Sequence, residues 1–575
     1  MTRRFIITAS AIILVAALVG GTIGRSRRFR HSVTANGAVS RTQSDDIEQD
    51  YNEAVSAIAV QYAGEIDYEK ATQAAIQGML STLDPHSMYF PYSEFKKLKE
   101  DQDSRFYGIG VTIVQHRDGV YISSAVEGTP AGRLGLRYGD RILEVDGKDA
   151  RQWTSEQVSK KVRGGRGEEV TIKVDRAGAE SPLSFTLIRD AVPLPSIRNA
   201  YILRPGTGYV GLTGGFQSTS DEELREAIKK LKAQGMRQLV LDMRGNPGGL
   251  LNQAIDVSSE FLPRGQVVVS VKGRTEYSDP IVYKSNGTDP EDVPLVILIN
   301  RGSASATEIV AGAIQDHGRG LVVGETSFGK GLVQHVFQLP FNTGLTLTTA
   351  RYYTPYGRSL QRDYSSGSLY DYYTGHDAAD ANAQPSPAAP SASPNARNSE
   401  SPVPPASSTP HPPSGPAVKT AAGRVFYGGG GITPDIEVKP LTFTPLRNRI
   451  AEAAFQFTRQ LAAGLLPGLE GYKVEKVQYG KTAKATDYPI SDRVTEAFRA
   501  FVRTDTQSQL TPAQLDEELD FVKLRLREEI ITAAFSSDAG ARVLLDSDPQ
   551  VLRALDALPD AKRLAESVRD GVYRS

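Results

Sequence analysis

The chain contains no cysteine. Disulfides, thiolate metal sites and a cysteine nucleophile are therefore excluded together. Such a chain suits an oxidising compartment without requiring one. An excess of charge is missing too: 66 Lys and Arg against 67 Asp and Glu leave a net charge of −1. Nothing in that balance points to nucleic acid. Histidine, the usual general base, is scarce, with seven in 575 residues. His317 and His335 lie near the most informative segment, but neither has a carboxylate orienter in a recognisable motif. His317 should lie about three turns from Ser305, where a surface or helix C-terminal place suits it better.

The length suggests roughly three or four domains. After MTRR comes an uncharged run, Phe5 to Gly24, long enough to cross a bilayer. It reads as a signal peptide or a retained anchor within residues 1–30, and the lack of a small-x-small site before Arg25 favours the anchor. Residues 45–103 read as helical: Ala54, Ile58, Val60 and Tyr62, then Ala71, Ala74, Ala75, Met79 and Leu80, repeat at helical spacing. From residue 104 to 190 the texture changes to short β-rich runs (VTIV, GVYISS, RILEVDG, VTIKVDR, SFTLI) with one helical pattern, Ser155 to Val162. Strands and helices then alternate over residues 191–364 and 421–441, which argues for an α/β core. There Ser220 and Glu223 predict a capping box. Residues 365–420 are rich in Pro, Ala and Ser. Such a segment buries too little apolar surface to offset its ordering entropy, so it reads as a disordered insertion. Residues 442–575 are mostly helical, with TPAQLDEELDFVKLRLREEI starting on a cap.

The stretch Leu295 to Gln334 carries the chemistry. An apolar strand, Leu295 to Ile299, runs into the small-residue turn SASATEI and a helix starting at Ser305. A short strand, Leu321 to Val323, leads to the loop GETSFGKG with Lys330. A serine at such a corner faces the positive end of a helix dipole. A lysine among Phe328, Gly329 and Gly331 can be desolvated, which lowers its pKa and lets it act as a base. That role needs a fall of about 3 units from the reference near 10.4. Each residue has a plainer reading. Ser305-x-x-Glu308 is itself a capping box. Gly324 to Lys330 matches the spacing of a phosphate-binding P-loop, but a P-loop needs Ser or Thr next, and this chain has Gly331 followed by a strand-like run. RGNPGG, Arg244 to Gly249, joins a strand to a helix; its glycines allow close backbone approach to a ligand, and the sequence also suits an ordinary tight turn.

SASATEI, GETSFGKG and Gln334, together with FYGIGV (Phe106 to Val111), LDMRGNPGGLL (Leu241 to Leu251) and GGGITPDI (Gly429 to Ile436), resemble the C-terminal processing peptidases, or tail-specific proteases. The motifs follow that family's order across about three quarters of the chain. The insertion at 365–420 departs from the family pattern. The resemblance implies a crotonase-like α/β protease core, an inserted PDZ domain over residues 104–190, and helical N- and C-terminal regions. It implies a serine endopeptidase with a Ser-Lys dyad and no cofactor or metal. Ser305 would be the nucleophile, Lys330 the base and Gln334 the residue that orients the lysine. In an extended chain Lys330 and Gln334 share a face about 13 Å apart, so contact needs a bend, which Gly331 permits. The oxyanion hole would comprise the amides of Ala306 and Gly248, with Gly249 as the alternative to Gly248. Gly108, Ile109, Gly110 and Val111 would receive the C-terminal carboxylate of a substrate, and Arg163 would couple that event to catalysis; a solvated arginine is the competing reading.

The implied partners are proteins or peptides with free C-termini. The family also implies a homodimer through terminal helices and leaves room for an adaptor. It places the body on the periplasmic or extracellular side of the membrane, against the charge signal, because four arginines follow the apolar run and two precede it. Two other classes remain open: a non-catalytic PDZ scaffold on a protease-like core, which intact Ser305, Lys330 and Gln334 oppose, and a P-loop nucleotidase, which Gly331 opposes.

Overall fold

The computed structural model describes residues 41–102, 104–274, 279–363, 415–420 and 423–570. The apolar run Phe5 to Gly24 and the insertion up to residue 414 lie outside them. The chain divides into two compact units, Met1–Thr72 and Gln73–Ser575. The first carries the helix Arg41–Gln61, on which Ile47, Tyr51, Val55 and Ile58 are exposed. The apolar spacing thus marks a helix there, but not one buried in a core.

The α/β core is built on a six-stranded sheet in the order Ile197–Arg204, Thr207–Leu212, Gln238–Asp242, Leu295–Ile299, Leu321–Gly324, Ile436–Glu437. Only the first pair is antiparallel. Parallel strands are buried on both faces and so read as unbroken apolar runs, and LVILI is buried throughout. Leu239, Leu241, Leu295, Ile297 and Ile299 pack with the helices Ser220–Ala233, Leu251–Ser259 and Ala306–Asp316. Val240, Val296 and Leu298 on the opposite face pack against Val551, Ala554, Ala557 and Leu558 of the C-terminal helix Pro549–Arg569.

A second sheet stands beside the first. Gly344–Tyr353 pairs with Leu332–Gln338 along one edge, and with Met88–Phe90 and Val267–Gly273 along the other. Met88–Phe90 corrects the all-helical expectation for residues 45–103. Three residues after a proline turn, MYF finds strand partners far along the chain.

Residues 104–190 form a separate sheet in the order Val111–His116, Gly119–Ala125, Arg141–Val145, Glu169–Asp175, Leu183–Ile188, with Lys148–Asp149 beside the third strand. The helix Ser155–Val162 has the expected bounds and is closed by a Thr154–Gln157 capping box.

Three boundaries shift. The helix expected to start with a Ser220–Glu223 box has Thr219 as its N-cap residue. The Ser220 hydroxyl instead meets Ser196 and the Gln217 amide, while Glu223 accepts the Ile197 N–H. The long C-terminal helix breaks at Glu518 into Pro512–Glu517 and Leu519–Ala534. The insertion ends before residue 415, because Ala417–Lys419 pairs with Val425–Tyr427 and Thr420 is buried.

Candidate active site

Strand and helix meet at a turn tied by side chains. Asn300 Oδ1 accepts the amides of Gly302 and Gly245, and the Ser303 hydroxyl donates to Met243 O at 2.8 Å. Ser305 follows with φ 56° and ψ −116°. A non-glycine residue in that region carries about 1–3 kcal/mol of backbone strain. It occupies the N-cap position of Ala306–Asp316, a helix buried along its whole length.

Glu308, three residues on, is fully buried. Its Oε2 accepts the N–H of Ser305 at 2.8 Å and the N–H of Lys330 at 2.8 Å. Its Oε1 accepts the N–H of Gly329 at 2.7 Å and the hydroxyl of Ser327. One carboxylate thus holds the backbone of both residues singled out in the sequence. Burial raises its pKa, against the pull of those four hydrogen bonds. Lys330 is itself buried, in the loop between Leu321–Gly324 and Leu332–Gln338. The loop is seated on a neighbouring segment: the amides of Arg362 and Tyr352 donate to the carbonyls of Gly329 and Gly331. The Arg362 guanidinium lies 4.0 Å over the Phe328 ring.

The RGNPGG loop reaches the same place. Gly248 has φ 96°, and a Cβ there would lie 2.7 Å from Ser305 Cβ and 2.9 Å from the Ala306 nitrogen. Only glycine allows that approach. Asn246, wholly buried, binds the loop to the turn: its carbonyl accepts the Ala304 N–H and the Thr307 hydroxyl, both at 3.0 Å. The Gly248 N–H donates to Asn246 Oδ1 at 2.9 Å. Arg244, at the head of the loop, forms ion pairs with Asp242 and with Asp548, the N-cap of the C-terminal helix, each at 2.7 Å. Those carboxylates hold its pKa above the ordinary arginine value, against burial.

Gln334 lies next to a register shift between Val333 and Gln334. Its Nε2 donates to Thr348 at 2.7 Å, and its Oε1 is buried without a hydrogen-bond partner among the described residues. The structure therefore does not join Gln334 to Lys330. His317 Nε2 meets Val267 O at 2.7 Å, and His335 lies exposed beside Phe337. Among the described residues no group of three or more His, Cys, Asp or Glu could hold a metal ion.

Away from this centre, Gly108 and Ile109 are buried at the entrance to the strand Val111–His116. Gly110 has φ 80°, and a Cβ there would meet Thr129 at 2.3 Å. Val111 opens the strand, which pairs only with Gly119–Ala125 among the described strands. The Arg163 guanidinium lies 4.2 Å over the Phe106 ring, next to Gly108.

Sequence reasoning missed three parts of this arrangement: the bridging role of Glu308, which read only as a cap; the Arg244–Asp548 pair; and the buried segment Asp84–Ser87. His86 in that segment lies within electrostatic reach of Lys330. Its proline-centred DPHS turn was the available signal.

A family model described as peptidase family S41 matches residues 206–372, and a PDZ domain model matches residues 98–175. The chain is 34% identical over 368 residues to the carboxy-terminal-processing protease of Bartonella bacilliformis, covering 63% of this chain and 81% of that protein. It is 32% identical over 333 residues to the carboxy-terminal processing protease CtpB of Bacillus subtilis, covering 56% of this chain and 69% of that one. Among solved structures, the photosystem II D1 C-terminal processing protease aligns with 29% identity over 56% of this chain and 86% of that chain, with a TM-score of 0.32.

Proposed function

We propose, from the premise that the chain belongs to the carboxy-terminal-processing proteases of peptidase family S41, that this serine peptidase cleaves proteins selected by their C-terminal tails and does so with Ser305 and Lys330. The observation that carries the reading is the Glu308 carboxylate, which accepts the N–H of both residues. Neutral Lys330 takes the Ser305 proton as the hydroxyl oxygen attacks the scissile carbonyl. The resulting ammonium returns that proton to the leaving amine, and an ester to Ser305 remains. Water then hydrolyses the ester with the lysine again as base.

Negative charge on the carbonyl oxygen needs donors. Ala306 N–H, in the first turn of its helix, is one. Gly248 supplies the second once its N–H turns from Asn246, and Gly249 is the neighbouring alternative. Gln334 Oε1, buried and without a hydrogen-bond partner among the described residues, would accept from the lysine ammonium as it forms.

Tail selection is assigned to the PDZ domain. The edge of Val111–His116 that no described strand pairs suits strand addition by an extended peptide, with the Gly108 to Val111 amides at its carboxylate end. Arg163, over Phe106 and next to Gly108, would relay occupancy to the core. The apolar run Phe5 to Gly24 would anchor the protease, its body on the periplasmic or extracellular side. The exposed apolar residues of Arg41–Gln61 would serve a homodimer.

A fluorophosphonate label with peptide mapping tests the nucleophile. The modified residue should be Ser305, and both labelling and turnover should vanish in Ser305→Ala and Lys330→Ala. Labelling at another serine, or turnover by either variant, would end this reading.

A further inference from the structure

The segment Asp84–Ser87 lies outside the dyad, yet Asp84, His86 and Ser87 are 9%, 3% and 1% exposed. It leads into the strand Met88–Phe90, which pairs with Gly344–Tyr353 at Gly344 to Thr346. Val267–Gly273 takes up the same edge only from Ala350 onward. Residues 347–349 lie between those two partners, and the turn fills that place: Ser87 Oγ accepts the Thr348 N–H at 3.2 Å. Asp84 sets the turn. Its Oδ1 accepts the amides of His86 and Ser87 at 2.8 and 3.0 Å, and its Oδ2 accepts the Ser87 hydroxyl at 2.7 Å. On the other side of Thr348, its hydroxyl accepts Gln334 Nε2 at 2.7 Å. Because the amide nitrogen of Gln334 is held there, Oε1 is turned away from Thr348, buried and unpaired among the described residues.

We propose that the Asp84–Ser87 turn is a positioning element for catalysis, fixing Gln334 through Ser87 and Thr348 so that its carbonyl oxygen is ready for the Lys330 ammonium. This rests on the Ser305–Lys330 reading. The groups around the lysine agree with it. Glu308 accepts its N–H. Burial, with the nearby Lys330 and Arg362, pushes the His86 imidazole down to about 2. The imidazole therefore stays neutral and adds no positive charge to the pocket.

An acceptor that meets an ammonium favours its charged form. Ser87→Ala, which removes the acceptor of the Thr348 N–H and so loosens the residue that holds Gln334, should thus move the acid limb of the kcat–pH profile to lower pH. Water entry through a loosened fold would move it upward instead. With a short peptide substrate, kcat should fall about tenfold with KM within about twofold, the size expected for one hydrogen bond made in the transition state. Gln334→Ala should give the same shift, and the double variant should be no worse than Gln334→Ala alone. Unchanged kcat and pH profile in Ser87→Ala, or losses that multiply in the double variant, would overturn the proposal. If Ser87→Ala loses its cooperative melt, Thr348→Val decides through the same cycle, because it removes the Gln334 acceptor and leaves the N–H to Ser87. Turnover by Ser305→Ala would instead bring down the dyad reading beneath it.

Discussion

At Ser305 the backbone is held where a side chain is unwelcome, at φ 56° and ψ −116°. Glycine occupies that region without a Cβ penalty. Ser305→Gly should therefore melt at or above Ser305→Ala, by up to about 1–3 kcal/mol of relieved strain, while both lack turnover. Calorimetry of the two variants checks this; a Gly variant clearly less stable than the Ala variant would mean that the turn is unstrained. A mirror argument applies to Gly248, where a Cβ would strike Ser305 Cβ at 2.7 Å. The two positions form one fitted contact, with the strained serine and the obligatory glycine facing each other.

Between elements, Glu308 is the joint. It belongs to the helix after Ser305 and grips the Lys330 loop through three donors besides Ser305. Glu308→Gln replaces one acceptor oxygen with a donor, leaving two of the four groups unsatisfied. A loss of about 2–4 kcal/mol should follow. Catalysis should fall about a hundredfold or more, the effect of displacing reacting groups by about 1 Å. Urea unfolding and single-turnover kinetics measure the two; a stable, fully active Gln variant would show that the bridge is dispensable. This joint also marks how far the sequence could be read. The strand Leu295–Ile299, the helix after Ser305 and the glycine loop were legible because apolar periodicity and small-residue turns are local signals. Glu308 was legible only as a cap, since its contacts with Gly329 and Lys330 close across 21 and 22 positions. The Ser87–Thr348 bond spans 261, and no local pattern announces such a distance. Ser220 went astray for a related reason: its hydroxyl has a better partner in Ser196, on the chain leading into the first core strand.

On the scale of the whole catalytic unit, the PDZ domain is packed on the C-terminal helices. His116 stacks on Phe455 with centroids 3.7 Å apart and meets Glu452 at 2.7 Å. The Tyr138 hydroxyl donates to Glu529, which together with Glu528 engages Arg525. Burial, against the opposing pull of Arg525, raises the Glu528 carboxyl from 4.5 to about 7. The folded state therefore binds that proton more tightly than the unfolded chain does. Its contribution to stability is present at low pH and is lost as pH rises from about 4.5 through about 7. Glu528→Gln should flatten that part of the stability–pH curve; an unchanged slope would place the linkage elsewhere. The same PDZ domain supplies the test of tail selection. A protein substrate with an amidated C-terminus should be cleaved about tenfold more slowly at low concentration than its free-acid form, the loss expected from weakened charge-assisted hydrogen bonds. Equal rates would remove tail recognition and leave the proposed roles of Ser305 and Lys330 untouched.

The contact between Asp548 and Arg244 also sets an order in time. Arg244 heads the loop beside Ser305, but its second acidic partner, and the helix that covers Val240, Val296 and Leu298, follow Ser305 and Lys330 in the chain. A nascent chain that has already exposed Ser305 and Lys330 still lacks the far wall of its sheet. The RGNPGG loop and the far face of its sheet are thus completed by a segment made after both Ser305 and Lys330.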